Sequence, residues 1–278
     1  MNVSLVALCC RTADRTAGAV RGAQTLAPLI GKRLGVEPRT IGTPSEPRDS
    51  GYEADLRDSR GCLLEAGGQV EDALTGGRVP VIAAADCSIA VTTVPAALRH
   101  RPDARVLWLD AHGDYNTPDT SGSGYLGGMS LAAACGEWDA GLGDTIPAEK
   151  LVLAGVRDLD AGERELLERS AATVIGASVV ETLVAVKNAL DGAPVFIHLD
   201  LDVLDPEEFS TPFPAPGGLS SDKLYDLMEA VADDSELVGV EVTAFEAPED
   251  PDELADAAET AMRVLDPVLD RIAADAQE

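Results

Sequence analysis

Short aliphatic runs alternate along this chain with longer segments in which apolar residues recur at helical spacing. The runs fall at residues 3–9, 79–84, 106–109, 151–155, 195–201 and 237–242. Near-continuous apolar stretches of this length predict strands buried on both faces of a parallel sheet. The segments between them predict helices at residues 17–33, 61–74, 161–170, 220–232 and 251–274. Ser220, Ser221 and Asp222 supply the polar start of one, and acids stand near the start of the last. The alternation predicts one α/β domain over residues 1–278, with helices covering a mainly parallel sheet. Two stretches rich in Gly, Pro, Ser and Thr, 113–128 and 205–218, each follow a predicted strand. In open α/β sheets ligands bind beyond the carboxyl ends of the strands, so chemistry is expected there.

The ends of three apolar runs carry polar residues. LWLDAHGDYN (107–116) places Asp110, His112 and Asp114 at alternate positions. In an extended chain these would share one face. FIHLDLDVLDP (196–206) places Asp200 and Asp202 in the same relation. VIAAADCSIA (81–90) ends its run at Asp86, Cys87 and Ser88. Carboxylates gathered in one pocket repel unless cations lie between them. The expected ligands are Asp110, His112, Asp114, Asp200 and Asp202, with Cys87 as a further candidate. Oxygen-rich ligation with one imidazole suits Mn²⁺, whereas a thiolate shifts preference toward Zn²⁺ or Fe²⁺. Bridging carboxylates allow two divalent ions, which would lower the pKa of a water between them and make it a nucleophile. His198 shares a face with Asp200 but precedes it, and is expected to be a satisfied core residue.

Charge narrows the function. With 49 acids against 21 bases the net charge is −28. Nucleic-acid binding needs a basic surface, and an anionic membrane is disfavoured for the same reason. Metal ions and cationic small molecules would be attracted. The five cysteines are odd in number and show no disulfide or zinc spacing, which predicts a reducing, cytoplasmic setting. The apolar stretch VSLVALCC lacks a preceding basic residue and reads as a buried strand, not a signal peptide. No glycine-rich phosphate loop follows a strand, which leaves a nucleotide-binding reading weak.

DAHGDYN, followed by DLDVLDP and a Pro/Gly loop ending GGLS, resembles the ureohydrolases, the family of arginase and agmatinase. SGYLGGM (123–129) resembles the family's substrate loop, and GVRDLDAGE (155–163) its GxRDxDxxE segment. The resemblance implies a three-layer α/β/α fold, two Mn²⁺ ions, and a homo-oligomer, trimer or hexamer. It also implies hydrolysis of a C–N bond in a guanidino, amidino or amide small molecule. Asp110 and Asp200 would bridge both ions. Asp114 would complete one site and act in catalysis, and His112 with Asp202 would complete the other. Asn116 and Ser123 match substrate-contacting positions. Asp160 and Glu163 match positions that hold the substrate's amino end, although acids at a helix start are a structural alternative.

The chain departs from the pattern at four places. Cys87 stands where the family motif GGDHS has its histidine. Gly127 replaces the histidine of SGxxHG. Ala244 aligns with a glutamate that grips the guanidinium, and a short shift would recruit Glu246 instead. Phe213 replaces a threonine near the guanidinium. Two readings follow: a metallohydrolase with a rewritten substrate pocket, or a non-catalytic member with a degraded site that acts by binding or assembly.

Overall fold

The aliphatic runs are strands. The computed structural model describes residues 3–177 and 181–276. Within them lie β1 (Val3–Leu8), β2 (Arg39–Ile41), β3 (Val79–Ala83), β4 (Arg105–Leu109), β5 (Leu151–Val156), β6 (Thr173–Gly176), β7 (Val195–Asp200) and β8 (Leu237–Thr243). They form an eight-stranded sheet in the order β2-β1-β3-β8-β7-β4-β5-β6. Every neighbouring pair is parallel.

Alternation along each strand feeds two cores. Leu5 and Ala7 of β1, Val81 of β3 and Leu107 of β4 point into one. Helices α1 (Ala17–Leu34), α6 (Thr182–Leu190), α7 (Ser221–Asp234) and α8 (Pro251–Asp275) close that side with Leu26, Val186, Leu227 and Leu265. Val6, Ile82, Trp108 and Leu153 point the other way. There α2 (Tyr52–Thr75), α3 (Ala90–His100), α4 (Ser130–Ala134) and α5 (Ala161–Arg169) supply Leu63, Val94, Leu131 and Leu167. The fold is therefore three-layered, as expected. Gly22 lets α1 lie directly on the Phe245 carbonyl, where any side chain would collide. That contact fixes the start of α1 against the end of β8.

Three differences from the expected elements have physical causes. β2 and β6 were not expected; both are short edge strands with exposed residues, so neither carries an apolar run. Helix α2 begins at Tyr52 rather than near Gly61, because its first turns bury polar Asp55 and Ser59, which hides the helical stripe. Cys10 and Cys62 form a disulfide that ties the loop after β1 to α2, correcting the expectation that no cysteines pair. Their separation of 52 residues carries no framework signature. Among the described residues no helix is long and apolar enough to cross a membrane.

Candidate metal centre and substrate cavity

The central strands set the site by register. Trp108 of β4, His198 of β7 and Glu241 of β8 lie opposite one another. His198 stacks flat on the Trp108 indole, ring centroids 3.6 Å apart, and its Nδ1 lies 2.7 Å from Glu241 Oε1. Two residues further on, at the strand ends, come Asp110, Asp200 and Thr243. The end of β3 adds Asp86 and Cys87. The Trp108 indole N–H donates to Asp110 (3.1 Å), so the buried row beneath orients the acid above it.

The acids converge, but not by strand alternation as expected. β4 stops at Leu109 and β7 at Asp200; the residues after them turn. Asp110 accepts the His112 N–H (2.6 Å) and Asp200 accepts the Asp202 N–H (2.7 Å), each carboxylate closing its own tight turn. Asp114 adopts φ 47°, a left-handed conformation that Asp tolerates better than most residues. His112 Nδ1 then lies 3.0 Å from Asp202 and 3.3 Å from Asp110. The Cys87 thiol donates to Asp200 (2.9 Å) and lies 3.2 Å from both His198 Nε2 and Thr243 Oγ1. His198 is fully buried, as the core reading requires, yet it also faces the site through Cys87. The alternation of β7 placed His198 beneath Asp200; it could not reveal the contact with β3.

Burial dominates the electrostatics, and the crowding of carboxylates adds to it. Burial, then the neighbouring Asp202, pushes Asp200 up to about 7. Burial, then Asp110, pushes Asp202 up to about 6. Asp114 is raised well above the carboxylate range by burial and by Asp110. Burial opposes the charge on His112, but hydrogen bonds and attraction from Asp110 and Asp202 outweigh it and lift His112 to about 12. The Cys87 thiol is held protonated by burial and the facing acids. Among the described residues two sets of donor atoms are close enough to share an ion, Asp110, His112 and Asp202, and Cys87, Asp110 and His198; neither includes Asp114 or Asp200. Oxygen, nitrogen and sulfur donors of this kind suit divalent cations, so the residues fit a metal centre.

A cavity of about 240 Å³ opens over these groups. Asn116, Ser123, Asp160 and Glu163 line it, and Arg15 donates to the Ser123 carbonyl (3.4 Å). Asn116 donates to Asp160 (3.1 Å). Glu163 accepts from Tyr115 N–H (2.8 Å) and from Asp160 N–H (3.3 Å), the latter as part of the capping box of α5. The helix-start role and the cavity-lining role thus coincide. Ala244 lines the cavity, but Glu246 does not; its carboxylate accepts the Thr16 hydroxyl at the start of α1. The turn at Ala244, with φ 58°, carries the chain away toward α1 before Glu246 is reached. Phe213 is at the cavity edge, where it tilts against Tyr125 at 5.0 Å.

Tyr125 was not singled out by sequence. Its ring occupies the space above Gly127: a Cβ at 127 would lie 2.5 Å from Cε1 and 2.8 Å from the hydroxyl. Arg15 covers the ring's other contact surface at 4.8 Å. The signal was the pairing of a large residue at 125 with glycine at 127. Asp14, Arg15 and Thr16, from the loop after β1, also line the cavity and were not anticipated.

Comparison with known proteins agrees with this geometry. The family model described as Arginase family matches residues 50–268. A curated Nω-hydroxy-L-arginine amidinohydrolase of Streptomyces lavendulae is 36% identical over 264 residues, covering 95% of this chain and 96% of that protein. An arginase of Brevibacillus brevis is 39% identical over 181 residues, 59% of this chain and 60% of its own length. The crystal structure of arginase from Bacillus cereus superposes with a TM-score of 0.82 at 26% identity, covering 95% of this chain and 97% of that one.

Proposed function

Since the chain belongs to the arginase family, a family of C–N hydrolases, we propose that it is a single-domain enzyme over residues 1–278 that cleaves a guanidino compound such as Nω-hydroxy-L-arginine. The observation that carries this reading is the meeting of Cys87, Asp110, His112, Asp114, Asp200 and Asp202 at one cavity floor. The substrate reading is supported by the relative from Streptomyces lavendulae, similar along almost its whole length. A non-catalytic member is not favoured, because the acids remain buried and converged.

In this reaction water adds to the guanidino carbon, and the bond from that carbon to the side-chain nitrogen breaks. The products are an amine and a urea, or hydroxyurea from the hydroxyguanidine. Asp110, His112, Asp114, Asp200 and Asp202, with Cys87, would hold two divalent ions, Mn²⁺ first and Zn²⁺ or Fe²⁺ next. When bound, such ions supply Lewis acidity and a water that ionises near neutral pH. Asp114 would accept a proton at its carboxylate from the attacking water and pass it to the departing nitrogen. Asn116 and Ser123 contact the carboxylate end of an amino-acid substrate, while Asp160 and Glu163 face its amino group. Glu246 has no part in this scheme. A homo-oligomer, trimer or hexamer, and a cytoplasmic home complete the proposal. Family resemblance supports the first; the free thiols of Cys9, Cys87 and Cys135 fit the second, while the Cys10–Cys62 disulfide speaks against it.

Elemental analysis after Mn²⁺ loading, paired with an assay of ornithine release from Nω-hydroxy-L-arginine and L-arginine, tests the reading. Close to two ions per chain and turnover are expected, with turnover lost and folding kept in Asp114→Ala. A chain that holds two ions yet hydrolyses neither compound, nor other guanidines, would overturn it.

A further inference from the structure

The wall of the cavity nearest β8 is nearly bare of side-chain chemistry. Ala19, Ala85 and Ala244 line it. Ala244 joins this wall to β3 through its N–H to the Ala85 carbonyl (3.3 Å). Two carboxylates, Asp86 and Asp14, interrupt the bare surface beside Thr16 and Arg15, whose guanidinium is turned to Asp49 (3.2 Å) and the Tyr125 ring.

Asp86 is fully used. It accepts the Thr12 hydroxyl (2.6 Å), the Ala13 N–H (3.0 Å) and the Ser88 N–H (2.9 Å). Asp14 is not. Its Oδ1 accepts the Thr12 N–H (3.0 Å). Its Oδ2 is buried and meets no donor among the described residues. The residue is 2% exposed. The nearby cation Arg11 is committed elsewhere, to Asp55 (2.7 Å), the Ser50 hydroxyl and the Arg48 carbonyl. An unmatched carboxylate oxygen removed from water is costly unless something with donors and positive charge completes it.

The cavity therefore has two acidic ends with the metal-capable floor between them. Asp160 and Glu163 follow β5, while Asp14 follows β1 and is joined through Thr12 to Asp86 at the end of β3, with β8, β7 and β4 between the two ends. A substrate with an amino group at the first end extends its other end past the floor toward Asp14. From this arrangement we infer that Asp14 is a specificity-determining residue whose free Oδ2 accepts a hydrogen bond from the guanidino end of the substrate. The assignment rests on the function proposed above. It gives the cavity a carboxylate for a planar cation from the loop after β1, on the wall where β8 presents only Ala244. Burial, then Asp86, pushes Asp14 up to about 7, as fits an acid that lacks its partner.

Asp14→Asn is the decisive variant. The amide oxygen keeps the bond to Thr12 N–H, so the loop survives, while the free acceptor and the charge are lost. Wild type and variant, both Mn²⁺-loaded and matched for metal content and melting temperature, are compared on Nω-hydroxy-L-arginine and for competitive inhibition by L-ornithine, which lacks the guanidino group. The expected result is a KM raised about 30-fold or more with kcat changed far less, and ornithine inhibition within twofold of wild type. A KM within twofold of wild type overturns the assignment. An equal loss of ornithine affinity also overturns it, since Asp14 would then shape the cavity rather than read one end of the substrate. A wild type without turnover overturns the hydrolase reading and this assignment with it, and the wild-type control distinguishes that case from failure at Asp14 alone.

Discussion

His198 Nε2 lies 3.2 Å from the Cys87 sulfur, while the opposite ring nitrogen is fixed 2.7 Å from Glu241. A carboxylate, an imidazole and a thiol thus run in line from β8 through β7 to β3. All three are buried, and His198 and Glu241 are fully so. Glu241→Ala would strip the imidazole of its buried carboxylate partner. The expected cost is roughly 3 kcal/mol by denaturant unfolding. A loss under about 0.5 kcal/mol, the range of neutral surface changes, would contradict this account of the row.

Metal removal should expose the crowding of acids as a pH dependence. Asp200 and Glu163 are raised to about 7 and Asp202 to about 6, all above their unfolded values. A carboxyl with a raised folded pKa contributes stability that is complete below its unfolded pKa and is lost as pH rises through the folded one. His112, raised to about 12, acts in the same direction from neutral pH upward. The chelated protein is therefore expected to lose stability between about pH 5 and about pH 7.5, and the gain in melting temperature on adding Mn²⁺ should be larger at the higher pH. Calorimetry of chelated and loaded protein at the two pH values checks both statements.

Tyr125 and Gly127 should behave as a matched pair. Gly127→Ala puts a methyl group 2.5 Å from a ring carbon that Arg15 and Phe213 hold in place. Overpacking of this kind costs about 1–3 kcal/mol. Truncating Tyr125 as well should recover most of that loss, so the two substitutions will be non-additive in a double-mutant cycle. Additive losses would mean that the ring does not fill the space above residue 127.

The disulfide makes a countable prediction. Under non-reducing denaturation the protein should show three titratable thiols, those of Cys9, Cys87 and Cys135. Cys62→Ser should lower stability by about 2–4 kcal/mol relative to the oxidised protein, and by little relative to the reduced one. Thiol titration and thermal unfolding with and without reductant decide it.

The parts legible in sequence were those written in continuous patterns. Six of the strands, and the acids at the ends of β4 and β7, stand at the boundaries of aliphatic runs. What the sequence hid depends on chain segments distant in order. Asp14 sits in the loop between β1 and α1 and is tied to the cavity through Thr12, which bonds both it and Asp86. His198 of β7 meets Cys87 after β3 across the intervening strand β8. Glu246 looked available because it is near Ala244 in sequence, but the left-handed turn at Ala244 directs it to Thr16. The edge strands β2 and β6 carry no apolar run, having one face in water.

Arg157, at the end of β5, donates to the backbone carbonyls of Gly155, Asp202, Val203, Leu204 and Ala215. Its guanidinium pins the turn that carries Asp202 from behind, by main-chain groups alone. The floor of the site is thereby insulated from the identity of the side chains in TPFPAPGG, the stretch in front of it. Residues at the cavity edge such as Phe213 can be exchanged, and what the site recognises changed with them, while the acids beneath keep their places. Recognition and reactivity can then drift apart under selection, each with its own tolerance for mutation.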